Sequence, residues 1–319
     1  MTFFLLGIDH KTSSIDIREA AYWKRKEISA FWADPPTAAV GFSHRRGGVY
    51  GAAAILATCN RFEIYGMAGT DSEAREVVSI FKKRFDDYFA DSYIIYGRNN
   101  IFRHLVRLAA GLESQIKGEL QISSQLGAWA GREDLPKGLS GLVHEALLAG
   151  LEIRLKTGLN RPENNIAALL YKNLLEHNHS DDLLNIVVVG TGKIAELFAH
   201  YKPQGVRLYF AAHKNILKAR ELAGISGGNA LTLKELPKLL LNVDVLISAT
   251  ASPHRVFDKN YFSKIAALRG KQLYIYDLAI PRDVEPSVLG INGIILKNMD
   301  EVVLNDDRKS RLKTQFISH

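Results

Sequence analysis

Cysteine is all but missing from this chain: 319 residues contain one, Cys59. A single thiol cannot close a disulfide within the chain or build a cysteine-cluster metal site. No metal site is expected elsewhere either. Long apolar runs are also missing, and none approaches the ~20 residues that a membrane-spanning helix needs. The start, Met1-Thr2-Phe3-Phe4-Leu5-Leu6-Gly7-Ile8, has no basic region and is soon interrupted by Asp9, His10 and Lys11. It reads as a first strand and not as an export signal. One cysteine and no such signal point to the cytoplasm. Repeats, low-complexity tracts and a clustered-aromatic RNA-recognition signature are absent.

What is present is ordinary for a soluble globular protein, with 47% hydrophobic and 24% charged residues. The length suggests about two domains, each with a sizeable core. The net charge of +7 suits a polyanionic partner such as RNA, or equally a basic enzyme. The short basic run Ser43-His44-Arg45-Arg46-Gly47-Gly48 reads as a solvated loop.

Periodicity divides the chain into two patterns. Strands are expected at Phe3 to Asp9, Ala52 to Ala57, Phe62 to Met67 and Ser92 to Tyr96. Helices are expected from Ile17 to Phe31, ended by Asp34-Pro35-Pro36, and from Ser72 to Phe89. That order is a split βαβ, ferredoxin-like sandwich. Helical patterning continues from Asn100 to Lys156 and from Gly141 to Leu159. The polar stretch Asn160 to Asn165 reads as an inter-domain connection, and Ile166 to Glu176 is helical again. Apolar strands then alternate with helices, at Asn185 to Val189, Val206 to Phe210, Val243 to Ser248, Leu273 to Asp277 and Ile294 to Leu296. This is an α/β pattern with a parallel sheet. The expected domains are 1–157, catalytic, and 158–300, Rossmann-type, with 301–319 as a remnant helix.

Cys59 sits in Ala57-Thr58-Cys59-Asn60-Arg61-Phe62-Glu63-Ile64-Tyr65, a polar connection at a strand end. Arg61 places a cation near the thiol, and cations favour the reactive thiolate. The alternative is an inert core thiol, although Thr, Asn, Arg and Glu are unusual company for one. In the second half, Gly190-Thr191-Gly192-Lys193-Ile194-Ala195 follows a strand and opens a helix. Gly190 permits a tight turn, and Gly192 lets the backbone approach a pyrophosphate at a helix N-terminus. An NAD site wants an acid at the end of the next strand. Here Ala212-His213-Lys214 stands instead, which favours the 2′-phosphate of NADPH; the alternative is an exposed loop. Ser248-Ala249-Thr250 ends a strand in small residues that can lie beside a nicotinamide. Asp277 and Pro281 end another and can be purely structural. His104, taken alone, is an ordinary helix residue. Ser114 and Gln121 are seven apart and share a face if their helix is continuous.

Taken together, these stretches resemble the glutamyl-tRNA reductase family over nearly the whole chain. The resemblance is carried by Gly7-Ile8-Asp9-His10-Lys11-Thr12 with Ile17-Arg18-Glu19, and by Thr58-Cys59-Asn60-Arg61 with Glu63 and Tyr65. It continues through His104-Leu105, Gly111-Leu112-Glu113-Ser114 and Gly118-Glu119 with Gln121-Ile122. Gly190-Thr191-Gly192, Ser248-Ala249-Thr250 and Asp277 to Asp283 complete it. The chain departs from the family pattern at Ala212-His213-Lys214, at Thr157 to Pro162, and in lacking the long carboxy-terminal helical domain after His319. A monomer or an atypical dimer is therefore expected.

The resemblance implies NADPH-dependent reduction of glutamyl-tRNA(Glu) to glutamate-1-semialdehyde, the entry to five-carbon tetrapyrrole synthesis. Cys59 would form a thioester, and His104 would act on the leaving oxygen. Thr58, Asn60, Arg61, Ser114, Glu119 and Gln121 would bind substrate, with Arg61 on its carboxylate. Gly190, Thr191, Gly192, Lys193, Ile194, His213, Lys214, Ser248, Ala249 and Thr250 would bind the cofactor. Glutamate-1-semialdehyde aminomutase would be a partner. The alternatives are an NADP-dependent dehydrogenase acting on a free small molecule, and a non-catalytic paralogue that binds tRNA or a pathway partner.

Overall fold

The computed structural model describes residues 1–33, 53–133, 135–159, 161–177 and 183–303. The chain forms two compact units, Met1–Pro162 and a second beginning at Glu163.

In the first unit the elements are β1 (Thr2–Asp9), α1 (Ile15–Trp23), α2 (Arg25–Ala33), β2 (Ala54–Ala57), β3 (Arg61–Ala68), α3 (Asp71–Arg84), α4 (Asp86–Phe89), β4 (Tyr93–Tyr96), α5 (Arg98–Ala109), α6 (Gln121–Ala130) and α7 (Lys137–Thr157). The sheet runs β2-β3-β1-β4, with every neighbouring pair antiparallel. This is the expected ferredoxin-like order. Alternation along β1 builds two cores, because successive side chains leave opposite faces of a strand. Phe3 and Leu5 pack with Leu105, Leu108, Trp129 and Leu142 of the α5–α7 layer. Phe4, Leu6 and Ile8 pack with Trp32, Phe81 and Phe89 on the other face.

Three helical expectations are corrected. The stretch from Ile17 to Phe31 is two helices, closed at Lys24, whose N–H bonds the carbonyls of Ala20 and Tyr22. The stretch from Ser72 to Phe89 breaks at Phe85 (φ −119°), although Phe81, Phe85 and Phe89 all stay buried. No continuous helix joins Ser114 to Gln121: α5 ends at Ala109, and α6 begins at Gln121. The loop between them turns at Gly111 and Gly118, both with positive φ. Buried Arg154 of α7 clamps it, donating to the carbonyls of Ala109, Gly118 and Glu119.

The second unit holds α8 (Ile166–His177), β5 (Leu184–Val189), α9 (Lys193–His200), β6 (Val206–Ala212), α10 (Ile216–Ser226), β7 (Asn229–Thr232), α11 (Leu236–Leu239), β8 (Val245–Ser248), α12 (Lys259–Ala266), β9 (Leu273–Asp277) and β10 (Ile294–Asn298). Its sheet is parallel throughout, in the order β10-β9-β8-β5-β6-β7, a doubly wound Rossmann arrangement. Central β5 is buried on both faces, as its apolar run requires. After β10 a helix opens at Met299, with Asn298 and Glu301 exchanging cap hydrogen bonds. The remnant carboxy-terminal helix beyond residue 303, the oligomeric state argued from it, Asp34-Pro35-Pro36, Ser43 to Gly48 and Asn160 lie outside the described residues. Among the described residues no helix is long and apolar enough to cross a membrane.

Candidate active site

Cys59 lies on a three-residue bend between β2 and β3. Thr58 N–H bonds the Arg61 carbonyl at 2.9 Å, and the Thr58 hydroxyl accepts Asn60 N–H at 3.2 Å. The bend is pinned to the end of β1, where His10 N–H donates to the Asn60 carbonyl at 3.0 Å. Cys59 keeps partial solvent access. Burial nevertheless pushes its thiol up to about 12, with the Glu119 carboxylate adding to the shift and Arg18 and Arg61 opposing it. The expected lowering by Arg61 is thus outweighed.

Arg61 is not a free surface cation. Its guanidinium is buried, 2.9 Å from Glu63 Oε1, and also donates to the Glu113 carbonyl. Its Nε is buried without a hydrogen-bond partner among the described residues. Glu63 is the hub of this cluster. It accepts from Arg61, from the hydroxyls of Tyr65 and Tyr93, and lies 3.0 Å from His104 Nε2. Burial opposes the Glu63 charge, but Arg61 and then His104 hold its carboxyl far below the usual range.

A second cluster closes over the Cys59 bend. Asn60 Nδ2 donates to Glu119 Oε1 at 3.3 Å, and Ser114 also bonds Glu119. Burial raises the Glu119 carboxyl above its ordinary value. Gln121 opens α6 just beyond, and its Nε2 is buried without a partner among the described residues, as are Asn60 Oδ1 and His10 Nδ1. Burial, above all, drops His10 to about 4, so it is a neutral imidazole. Such buried unsatisfied polar atoms are rare and want a ligand or water.

Glu63, Tyr93 and His10 were not among the expected site residues. A signal existed for the first: Arg61, Glu63 and Tyr65 alternate on β3, placing two charges on one face of a strand that is otherwise apolar. Gly7 opposite gives the room, since a Cβ there would come within 2.8 Å of the Tyr93 ring.

In the second unit the β5–α9 turn fits a dinucleotide. Gly190 has φ +112°, and a Cβ on it would meet the Ala249 carbonyl oxygen at 2.4 Å. Gly192 caps α9 without a side-chain cap bond, and its Cβ position is open space. The N–H groups of Lys193 and Ile194 in the first turn can therefore face a phosphate. Thr191 is half-buried in the turn, and His213 and Lys214 are exposed just past β6. Ser248 and Thr250 are both tied to Asp283, Ser248 Oγ at 2.7 Å and Thr250 N–H at 2.9 Å. Asp277 accepts from Ala279 and Val284 N–H, and burial pushes it up to about 7. Among the described residues no group of three His, Cys, Asp or Glu could hold a metal ion.

Comparison with known proteins matches two family models. Residues 6–157 match the glutamyl-tRNAGlu reductase N-terminal domain. Residues 173–304 match shikimate / quinate 5-dehydrogenase. The glutamyl-tRNA reductase of Marinobacter nauticus is 32% identical over 324 residues, covering 98% of this chain and 73% of that one. That of Alkalilimnicola ehrlichii is 31% identical over 326 residues, covering 98% and 70%. Among solved structures, a glutamyl-tRNA reductase from Methanopyrus kandleri is 26% identical, covering 98% of this chain and 76% of that one, with a TM-score of 0.42.

Proposed function

This chain belongs to the glutamyl-tRNA reductase family, and from that premise we propose that it reduces glutamyl-tRNA(Glu) to glutamate-1-semialdehyde through a thioester on Cys59, using NADPH. The observation that carries the reading is the placement of the single thiol. It sits on a bend formed with Asn60 and Arg61 and pinned by His10, each of which has a buried polar atom without a partner among the described residues.

The chemistry follows from these residues. Cys59 Sγ attacks the ester carbonyl, the S–C bond forms, the C–O bond breaks, and the ribose hydroxyl leaves. The thiol's proton ends on that ribose oxygen, passed through His104, which Glu63 orients. A thiol raised by burial and by Glu119 needs help to ionise. The substrate's α-ammonium, paired with Glu119, removes the opposing charge only when substrate is bound. Thr58, Asn60 and Ser114 hold the bend and Glu119 in place. Arg61 Nε and Gln121 Nε2, buried and unpartnered among the described residues, would donate to the substrate's side-chain carboxylate.

Gly190, Thr191, Gly192, Lys193 and Ile194 would hold the cofactor's pyrophosphate, with His213 and Lys214 toward its 2′-phosphate. Ala249, Ser248 and Thr250 would border it, the last two positioned by Asp283. NADPH, when bound there, supplies the hydride that turns the thioester into an aldehyde. Cys59 departs as a thiolate, and its strong affinity for protons restores the resting thiol. Glutamate-1-semialdehyde aminomutase would consume the product, at the head of tetrapyrrole synthesis. Turnover tests the reading: NADPH oxidation is expected with charged glutamyl-tRNA and not with free glutamate. Oxidation with a free small acid but none with the charged tRNA would hand the function to the dehydrogenase alternative.

A further inference from the structure

The first unit carries a groove of about 860 Å³ that the chemistry above does not use. It follows the outer edge of β2, the last strand of the sheet among the described residues, and runs from Ala53 to Thr58, the residue before the nucleophile. At ~3.3 Å per residue that path is about 17 Å long. One wall is α2, with Arg25, Lys26 and Trp32; the other is α6 and its end, with Trp129 and Arg132. Among the described lining residues three are cationic and none is acidic.

Two further features make this more than a gap between helical layers. Trp32 and Trp129 are both more than nine-tenths buried, and their indole Nε1 atoms have no hydrogen-bond partner among the described residues. Their rings are held, Trp32 stacked on Phe81 and Trp129 tilted against Tyr65, so neither is a free stacking platform. They give the groove rigid aromatic walls. Arg25 is also set in place, its guanidinium 4.1 Å over the Tyr22 ring with one amine on the Tyr22 carbonyl. Among the described residues β2 pairs with β3 alone, so its outer edge adds backbone groups to the groove.

We infer that this groove receives the single-stranded 3′ end of the aminoacylated tRNA, laying its phosphates between Arg25, Lys26 and Arg132 so that the terminal ribose ester arrives at Thr58 and Cys59. The inference rests on the glutamyl-tRNA reading above. An extended peptide added to β2 is the rival occupant, but three cations with no acid among the described lining residues match a phosphodiester strand better.

The test uses the full chain and an uncharged acceptor-stem minihelix, with or without its single-stranded 3′ CCA, followed by fluorescence anisotropy. Wild-type protein should bind the CCA form at least about tenfold more tightly than the blunt form. The Lys26→Gln/Arg132→Gln variant should lose that preference. Its slope of log affinity against log salt should be shallower by about 1.4, at ~0.7 per phosphate for a single strand. In wild-type protein, 4-thiouridine in place of the penultimate nucleotide should crosslink to α2, α6 or β2. That arm decides if the variant folds poorly. Equal affinity for both minihelices, a variant that binds like wild type (as a peptide groove requires), or crosslinks confined elsewhere would overturn the proposal. These readings need no turnover. Failure of the reductase reading would instead show as no glutamyl adduct on Cys59.

Discussion

At the scale of single residues, Cys59 is a thiol at rest because burial and Glu119 together outweigh Arg18 and Arg61. Arg61 is weakened as an activator because Glu63 already neutralises it at 2.9 Å. Burial thus sets the pH dependence. A thiol pushed up to about 12 gains thiolate about tenfold per pH unit well below that value. Alkylation of Cys59 by iodoacetamide in the substrate-free protein should therefore climb log-linearly from pH 7 to pH 10 without levelling. A plateau near pH 8.5, the behaviour of an ordinary thiol, would contradict the account. The cysteine and its neighbours were legible as a motif. Their electrostatics were legible only in part: Glu63, two residues along the same strand, could be read as the partner that cancels Arg61, but the burial of a polar bend such as Thr58 to Arg61 has no apolar period to announce it.

At the scale of elements, periodicity carried most of the fold. The alternation of Phe3, Phe4, Leu5 and Leu6 announces a strand with apolar groups on both faces, and two cores duly form on it. The apolar run of β5, followed by two glycines, announces the nucleotide turn. Less legible were β7, whose four residues are too short to show a period, and the loop from Ala110 to Leu120. That loop contains helix-forming residues, but Gly111 and Gly118 adopt positive φ and Arg154 takes up its carbonyls. The β5–α9 turn gives the sharpest element-level prediction. Alanine at Gly190 would force a side chain into φ +112° and against the Ala249 carbonyl oxygen at 2.4 Å. Backbone cannot yield there as a side chain could. Gly190→Ala should cost ~1–3 kcal/mol in chemical denaturation of the full chain and weaken NADPH binding about tenfold or more. Wild-type affinity together with an unchanged denaturation midpoint would refute the role given to the turn.

At the scale of the whole molecule, the proposed function divides between the two units, thioester chemistry in the first and nucleotide binding in the second. The family match spans both, with 98% of the chain aligned to longer reductases. Ala212-His213-Lys214 puts two exposed basic-type side chains where an NAD enzyme would carry an acid. NADPH should bind more tightly than NADH, and Lys214→Ala should shrink the gap. A lysine is a point charge and lacks the arginine fork, so the preference should be moderate. Equal affinities that Lys214→Ala leaves unchanged would show that this loop does not read the 2′-phosphate.

The central claim is a covalent intermediate on the only cysteine in the chain. Intact-protein mass spectrometry after incubation with glutamyl-tRNA, without NADPH, tests it most directly. The account predicts a single glutamyl adduct, mapped to Cys59, discharged as aldehyde when NADPH is added and absent from Cys59→Ser. No adduct on the wild type, or full reductase activity in Cys59→Ser, would contradict it.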